Sequence, residues 1–240
     1  MSYYGRKNYY NKTEDDFLIH EESDNPPRKW NLGYIRVVSI DPAVKNYAIR
    51  CTERFPDGKI KSLLVFEKVN LTSNLTTKGH NCSIFNLTRF LNKYRDLWSG
   101  VNVVIIERQV KLNRIATAVF NQTISYFTMF LMGSPFTPMI IEVSPKLKGK
   151  VLGVPKGTKG KDLKKWAVVT AADILQKKGD IQSLDQINRI TKKDDLSDTV
   201  CQEEAFFERC PWVMGSITTP KETTQAKVIK IKRVPVCDNS

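Results

Sequence analysis

The sequence predicts an α/β protein with a mixed central sheet and helices on both faces, and three observations carry that prediction. Three short β-branched runs follow one another closely between residues 34 and 66. Val103-Val104-Ile105-Ile106 is a continuous apolar run of the kind found in a strand buried on both faces. Helical periodicities then separate the later strands.

The elements follow in order. Residues 1–30 are polar and tyrosine-rich without sustained periodicity, and read as a flexible arm. Residues 34–41 form a first strand that ends in a carboxylate, and residues 47–51 and 61–66 form two more. Asp57-Gly58 supplies the turn between the last two, so the three strands make an antiparallel meander. Over residues 83–98, Ile84, Phe85, Leu87, Phe90, Leu91 and Tyr94 recur at helical spacing. The buried strand at residues 103–106 is closed by Glu107. A helix over 113–131, a strand over 139–143 and a helix over 162–178 come next, with the glycine- and lysine-rich stretch 146–161 as an exposed, flexible loop. A last amphipathic helix starts near Asp194, runs to about Glu208 and is stopped by Pro211. Residues 31–215 thus form one domain, and residues 216–240 a basic tail.

Composition narrows the partner. The chain has 240 residues, a net charge of +13 and a pI near 9.5. Such a balance favours a polyanion, because basic surfaces release condensed counterions from phosphates. Between residues 144 and 193 there are thirteen Lys/Arg against four Asp, making this segment the first candidate for phosphate contact. No apolar run approaches the roughly 18–20 residues that cross a bilayer, and the N-terminus has no secretory apolar core. Five cysteines, an odd number without a C-x-x-C pair, argue against a disulfide framework or a structural zinc site and for a reducing, intracellular compartment.

The chemistry-bearing residues are acidic. Functional groups in α/β sheets collect at the carboxyl ends of strands, so Asp41 and Glu107 are expected at one sheet edge. Asp195 and Asp198 are three apart and share a helix face. Asp194 lies four before Asp198, and spacing alone leaves open which of the two neighbours faces a site. Converging carboxylates repel one another unless protonated or bridged by a cation. Phosphodiester hydrolysis favours the cation, since two divalent ions activate a water and stabilise the leaving oxygen. Hard oxygen ligands select Mg²⁺, with Mn²⁺ able to substitute. Taken singly, each acid reads as a turn, cap or solvated residue. Their order and placement together carry the weight.

Three segments resemble the motifs of RuvC-like Holliday junction resolvases, especially the poxviral and fungal mitochondrial branches. They are Ser39-Ile40-Asp41-Pro42-Ala43-Val44-Lys45-Asn46-Tyr47-Ala48, Val104-Ile105-Ile106-Glu107-Arg108-Gln109, and Lys193-Asp194-Asp195-Leu196-Ser197-Asp198. The likeness covers about residues 35–207. It implies an RNase H-like fold, a homodimer, and paired metal-dependent nicks in branched DNA at a four-way junction. It also implies two Mg²⁺ per site held by Asp41, Glu107, Asp195 and Asp198, with Asp194 outside the set. Family members use a lysine near the scissile phosphate, for which Lys146 and Lys148 are the matches, with Lys164 and Lys165 behind them. DNA contacts are expected from Lys45, Arg108, Gln109, Asn113, Arg114, Lys150, Lys161, Lys164 and Lys165. Bacterial relatives carry glycine near Ala43, so the approach of substrate there differs. The helix over 113–131 carries a stripe of Ile115, Val119, Thr123, Tyr126 and Phe130 that reads as core, and by resemblance part of it faces a second subunit. A viral protein in a host cell, or a mitochondrial or nuclear one, fits the resemblance. The alternatives are a ribonuclease H acting on RNA–DNA hybrids and a nucleic-acid-binding protein that keeps the fold without catalysis.

Overall fold

The computed structural model describes residues 16–20, 33–72, 80–109, 114–131 and 138–215. Its strands are β1 (Phe17–His20), β2 (Ile35–Asp41), β3 (Tyr47–Arg54), β4 (Ile60–Val69), β5 (Val103–Glu107) and β6 (Met139–Val143). Its helices are α1 (His80–Asn92), α2 (Arg95–Trp98), α3 (Arg114–Leu131), α4 (Leu147–Val151), α5 (Gly160–Lys178), α6 (Ile181–Arg189), α7 (Asp194–Arg209) and α8 (Pro211–Gly215). The strands form one sheet in the order β1-β6-β5-β2-β3-β4. β2, β3 and β4 are the expected antiparallel meander, whereas β5 pairs parallel with both β2 and β6. Gly58, at φ 81°, supplies the left-handed residue of the β3–β4 turn.

Two apolar layers sandwich the sheet. Val38, Ile40, Val104 and Ile106 point to one side and pack with Val119 and Phe127 of α3 and Leu87 and Leu91 of α1. Ile35, Val37, Val103 and Ile105 point to the other and pack with Phe206 and Phe207 of α7. This alternation is the strand period of two, and it explains why the apolar run at 103–106 is unbroken: both faces are covered. A third cluster joins Ala48 and Phe66 to Ala171, Leu175, Leu196 and Val200, fixing α5 and α7 over the meander.

The structure departs from the sequence reading in four places. Phe17–His20, inside the segment expected to be an arm, is a strand antiparallel to β6. The sheet therefore begins before the expected domain boundary at residue 31. The rest of that segment and the basic tail lie outside the described residues. The helix expected over 83–98 is broken into α1 and α2. The Leu91 carbonyl, which a continuous helix would give to Arg95, instead accepts from the Trp98 indole at 2.8 Å and from the Tyr94 amide at 3.1 Å. Within the expected 146–161 loop, burial of Leu147 anchors the one-turn helix α4. Finally, α6 was not anticipated. It begins at Asp180, whose carboxylate accepts from the Ser183 amide at 3.0 Å, and is separated from α5 by Gly179 at φ 70°.

Candidate active site

The sheet register fixes where the first two carboxylates meet. Ile40 lies opposite Ile106 in the parallel β2–β5 pairing. Asp41 and Glu107 therefore end adjacent strands, which run about 4.8 Å apart. By alternation they share the face that carries Val37, Ser39, Val103 and Ile105, and α7 covers that face. Four hydrogen bonds hold α7 there. Ser39 donates its hydroxyl to the Thr199 carbonyl at 2.9 Å. The Gln202 side-chain amide donates to Ser39 Oγ, the Ile40 carbonyl and the Ile105 carbonyl, each at 3.2 Å. The first turn of α7, with Asp195 and Asp198, is thus delivered over the strand ends.

Lys148 sits at the centre of this arrangement. Its ammonium lies 2.8 Å from Glu107 Oε2 and 2.8 Å from Asp198 Oδ1. Burial alone would lower its pKa, but the charges of Glu107, Asp198 and Asp41 prevail and hold it cationic. Asp41 shows the opposite balance. Burial, then repulsion by Glu107, pushes its carboxyl well above the ordinary range; Lys148 opposes this, while Asp198 and Asp195 add to it. The Asp198 carboxyl is also raised, by burial first and with Glu107 contributing, although Lys148 pulls it down. Asp41, Glu107 and Asp198, from three distant segments, therefore feel one another's charge around a single ammonium, and the charge of Asp195 reaches Asp41.

The two neighbours at the start of α7 part company. Asp195 is held by Lys192 at 2.8 Å and by Lys68 of β4 at 3.4 Å, and its charge reaches Asp41. Asp194 pairs with Lys164 of α5 at 2.6 Å; burial would raise its pKa, but that bond and Lys192 lower it, and its own charge reaches Asp198. Among the described residues, no three acidic, histidine or cysteine side chains stand in ready-made metal-ligating geometry. Instead, the Lys148 ammonium already bridges Glu107 and Asp198.

The other expected residues scatter. Lys146 is exposed, and its backbone amide bonds Ser144 Oγ at 3.3 Å, so the lysine at the carboxylates is Lys148 and not Lys146. Lys150 is tied to Asp16 at 2.7 Å, and Arg108 lies 3.6 Å from Glu142. Lys45 is exposed in the β2–β3 connection, Gln109 is half-buried after β5, and Arg114 is exposed at the start of α3. Lys161 and Lys165 are exposed on the first turns of α5, and Asn113 lies outside the described residues.

Sequence reasoning missed Gln202 and a buried ion-pair network beneath the site. Arg50 of β3 reaches Glu203 at 2.5 Å and Asp180 at 2.6 Å. Arg54 reaches Glu203 at 3.0 Å and Glu204 at 2.6 Å, and Lys178 lies 2.8 Å from Glu204. Thr52 donates its hydroxyl to Glu203 at 2.8 Å. The available signal was two arginines two strand periods apart in one strand, set against Glu203-Glu204 in an amphipathic helix.

The position of Lys148 makes a stability prediction. Lys148→Met leaves Glu107, Asp198 and Asp41 facing one another, so the metal-free protein should melt several degrees lower. Mg²⁺ should then restore more of the loss than it adds to the unaltered protein. An unchanged metal-free melting temperature would mean that the ammonium does not hold these acids together.

A mixed sheet with acids ending two adjacent parallel strands, and a helix bringing further acids over them, is the architecture of an RNase H-like fold. The overlay on a solved structure agrees with that fold. The chain overlays the yeast mitochondrial Holliday junction resolvase Ydc2 with a TM-score of 0.56 at 16% identity, over 80% of this chain and 85% of that one. The fowlpox virus Holliday junction resolvase aligns with a TM-score of 0.48 at 19% identity, over 73% of this chain and 99% of that one. In sequence, an uncharacterized protein, 97L, of Invertebrate iridescent virus 3 is 27% identical over 150 residues, which is 62% of this chain and 69% of that protein. No family model matches the chain. The resemblance read from three short motifs thus extends to the fold. Among the described residues no helix is long and apolar enough to cross a membrane.

Proposed function

We propose that this chain is a divalent-metal-dependent DNA endonuclease that resolves four-way junctions by paired nicks, working as a homodimer. The observation that carries the reading is the gathering of Asp41, Glu107 and Asp198 around Lys148 at the carboxyl ends of β2 and β5, with Asp195 near enough for its charge to reach Asp41. The donor set suits Mg²⁺, since every candidate ligand is a hard carboxylate oxygen. Asp41 also carries a repulsion that Lys148 does not cancel, which a cation of higher charge relieves. Two bound ions would supply a nucleophile at neutral pH and shield the leaving oxygen. The chain's own part is to position. β2 and β5 fix Asp41 and Glu107 side by side, and the Gln202 and Ser39 tethers hold α7 so that Asp195 and Asp198 face them. Glu107 and Asp198, which now hold Lys148, would be among the residues that hold the metal, and Lys148 would then be available to the scissile phosphate.

The names of the overlaid proteins support a branched DNA substrate, and the basic segment from residue 144 to 193 supports a nucleic acid partner. The dimer reading rests on the resemblance to resolvases; Met129 of α3, the helix it concerns, and Phe85 of α1 are exposed apolar side chains. The deciding experiment presents the purified chain with a synthetic four-way junction, matched duplex and RNA–DNA hybrid, with Mg²⁺ or with EDTA. The expected result is Mg²⁺-dependent symmetrical nicking of the junction, with duplex and hybrid cut far less. Preferential cutting of the hybrid would make it a ribonuclease H, and binding without cutting on any substrate would leave a non-catalytic binding protein.

A further inference from the structure

Outside the carboxylate centre, a cleft lies between α5 and the segment joining α6 to α7. It has a volume of about 640 Å³. Lys164 and Lys165 rim one side, Lys192 and Lys193 the other, and the floor is Val168 and Val169. Val169 is 69% exposed. A single exposed valine needs no explanation. This one is ringed by four ammonium groups, and the cleft runs into Asp194, next to the proposed metal acids.

The lysines fall into two pairs. Lys164 and Lys192 are engaged with Asp194 and Asp195 at 2.6 Å and 2.8 Å, so they link the cleft to the site. Lys165 and Lys193 have only loose partners, Asp162 at 3.7 Å and the Asn188 side chain at 3.4 Å. A ligand here must offer negative charge to the rim and a flat apolar face to the floor. A nucleotide with its base out of the stack does both, and a fully paired duplex does not, because its base faces are hidden.

We propose that this cleft receives one nucleotide of the cut strand beside the scissile phosphate, its phosphates on Lys165 and Lys193 and its unpaired base on the Val168–Val169 face. The inference rests on the nuclease reading and adds a source of substrate choice to it. Branch-point nucleotides leave their stack at small cost, whereas those in continuous duplex must be unpaired first. The site thereby selects junctions without reading sequence.

The test uses the full chain carrying Asp41→Asn, so that substrate is held and not cut, and junctions with 2-aminopurine at successive positions around the branch point. Emission should rise on binding at one position and stay flat in matched duplex, and Val169→Ser should remove the rise. Lys165→Ala with Lys193→Ala should weaken junction binding and reduce the slope of log affinity against log salt by about 2. If the Asp41→Asn parent binds junctions yet these variants keep its emission and salt slope, the cleft proposal fails while the nuclease reading stands. If that parent binds no junction and the unaltered chain nicks none, the nuclease reading fails first and takes this one with it.

Discussion

Asp41→Asn should abolish Mg²⁺-dependent nicking of a four-way junction, by on the order of a thousandfold or more, while leaving junction affinity in EDTA unchanged. It should also raise the melting temperature of the metal-free protein at neutral pH. Both effects come from the same side chain. Asp41 lies where Glu107, Asp195 and Asp198 add negative charge, and burial raises its pKa further. A carboxyl whose folded pKa is raised contributes stability below its ordinary value of about 3.9 and loses it as pH climbs through the raised one. The metal-free protein therefore bears this cost at neutral pH, and asparagine removes it along with the ligand. The gap in melting temperature between Asp41→Asn and the unaltered chain should widen from pH 4 to pH 7 and close when Mg²⁺ is added to the latter. Asp198→Asn should lose nicking as well, since it removes both a proposed ligand and a partner of Lys148. Full nicking activity in either variant would remove these acids from the site. A metal-free melting temperature that does not respond to Asp41→Asn would mean that the four charges do not meet.

The largest effect on stability is expected away from the site. Arg50→Met leaves Glu203 and Asp180 buried without their shared guanidinium, where both carboxylates lie within 2.6 Å of it. Breaking a buried pair from one side costs about 3–5 kcal/mol. Glu203 keeps Arg54 and Thr52, so the loss falls chiefly on Asp180, which is left with the Ser183 hydrogen bonds in place of a cation. For a chain of this size that cost corresponds to a fall in melting temperature of roughly 10 °C. Arg50→Lys keeps the charge but not the two-pronged reach, and should fall between the two. The cost is large because Arg50 ties three elements together: β3, the start of α6 and the middle of α7. Thermal melts of the three proteins in EDTA give the answer. Equal melting temperatures for Arg50→Met and the unaltered chain would show that the network adds nothing to stability.

The same network shows how far local pattern reaches. Val103-Val104-Ile105-Ile106 identifies a buried strand, and the runs before Asp41 and before the Asp57-Gly58 turn identify a meander, because strand and helix periods are written in neighbouring residues. Asp194, Asp195 and Asp198 are legible as an acidic helix start for the same reason. The strand at Phe17–His20 escaped because four residues carry too short a pattern, and it exists only through its pairing with β6. Helix α6 left a local trace that was overlooked: Asp180 caps it through the Ser183 amide, and Ile181, Leu184 and Ile187 recur at helical spacing.

By itself, then, the amino-acid order determined most of the elements, the two strand-ending acids, the helical pair and the basic character that points to phosphate. Tertiary structure alone decided which lysine meets the acids, that Asp194 pairs with Lys164 while Asp195's charge reaches Asp41, and that Gln202 binds α7 to the β2–β5 carbonyls. The physical reason is range. Backbone propensity and side-chain period act over a few neighbours and leave their trace in local spacing. The choice between Lys146 and Lys148 depends instead on burial of Leu147 against a sheet assembled from strands more than a hundred residues apart.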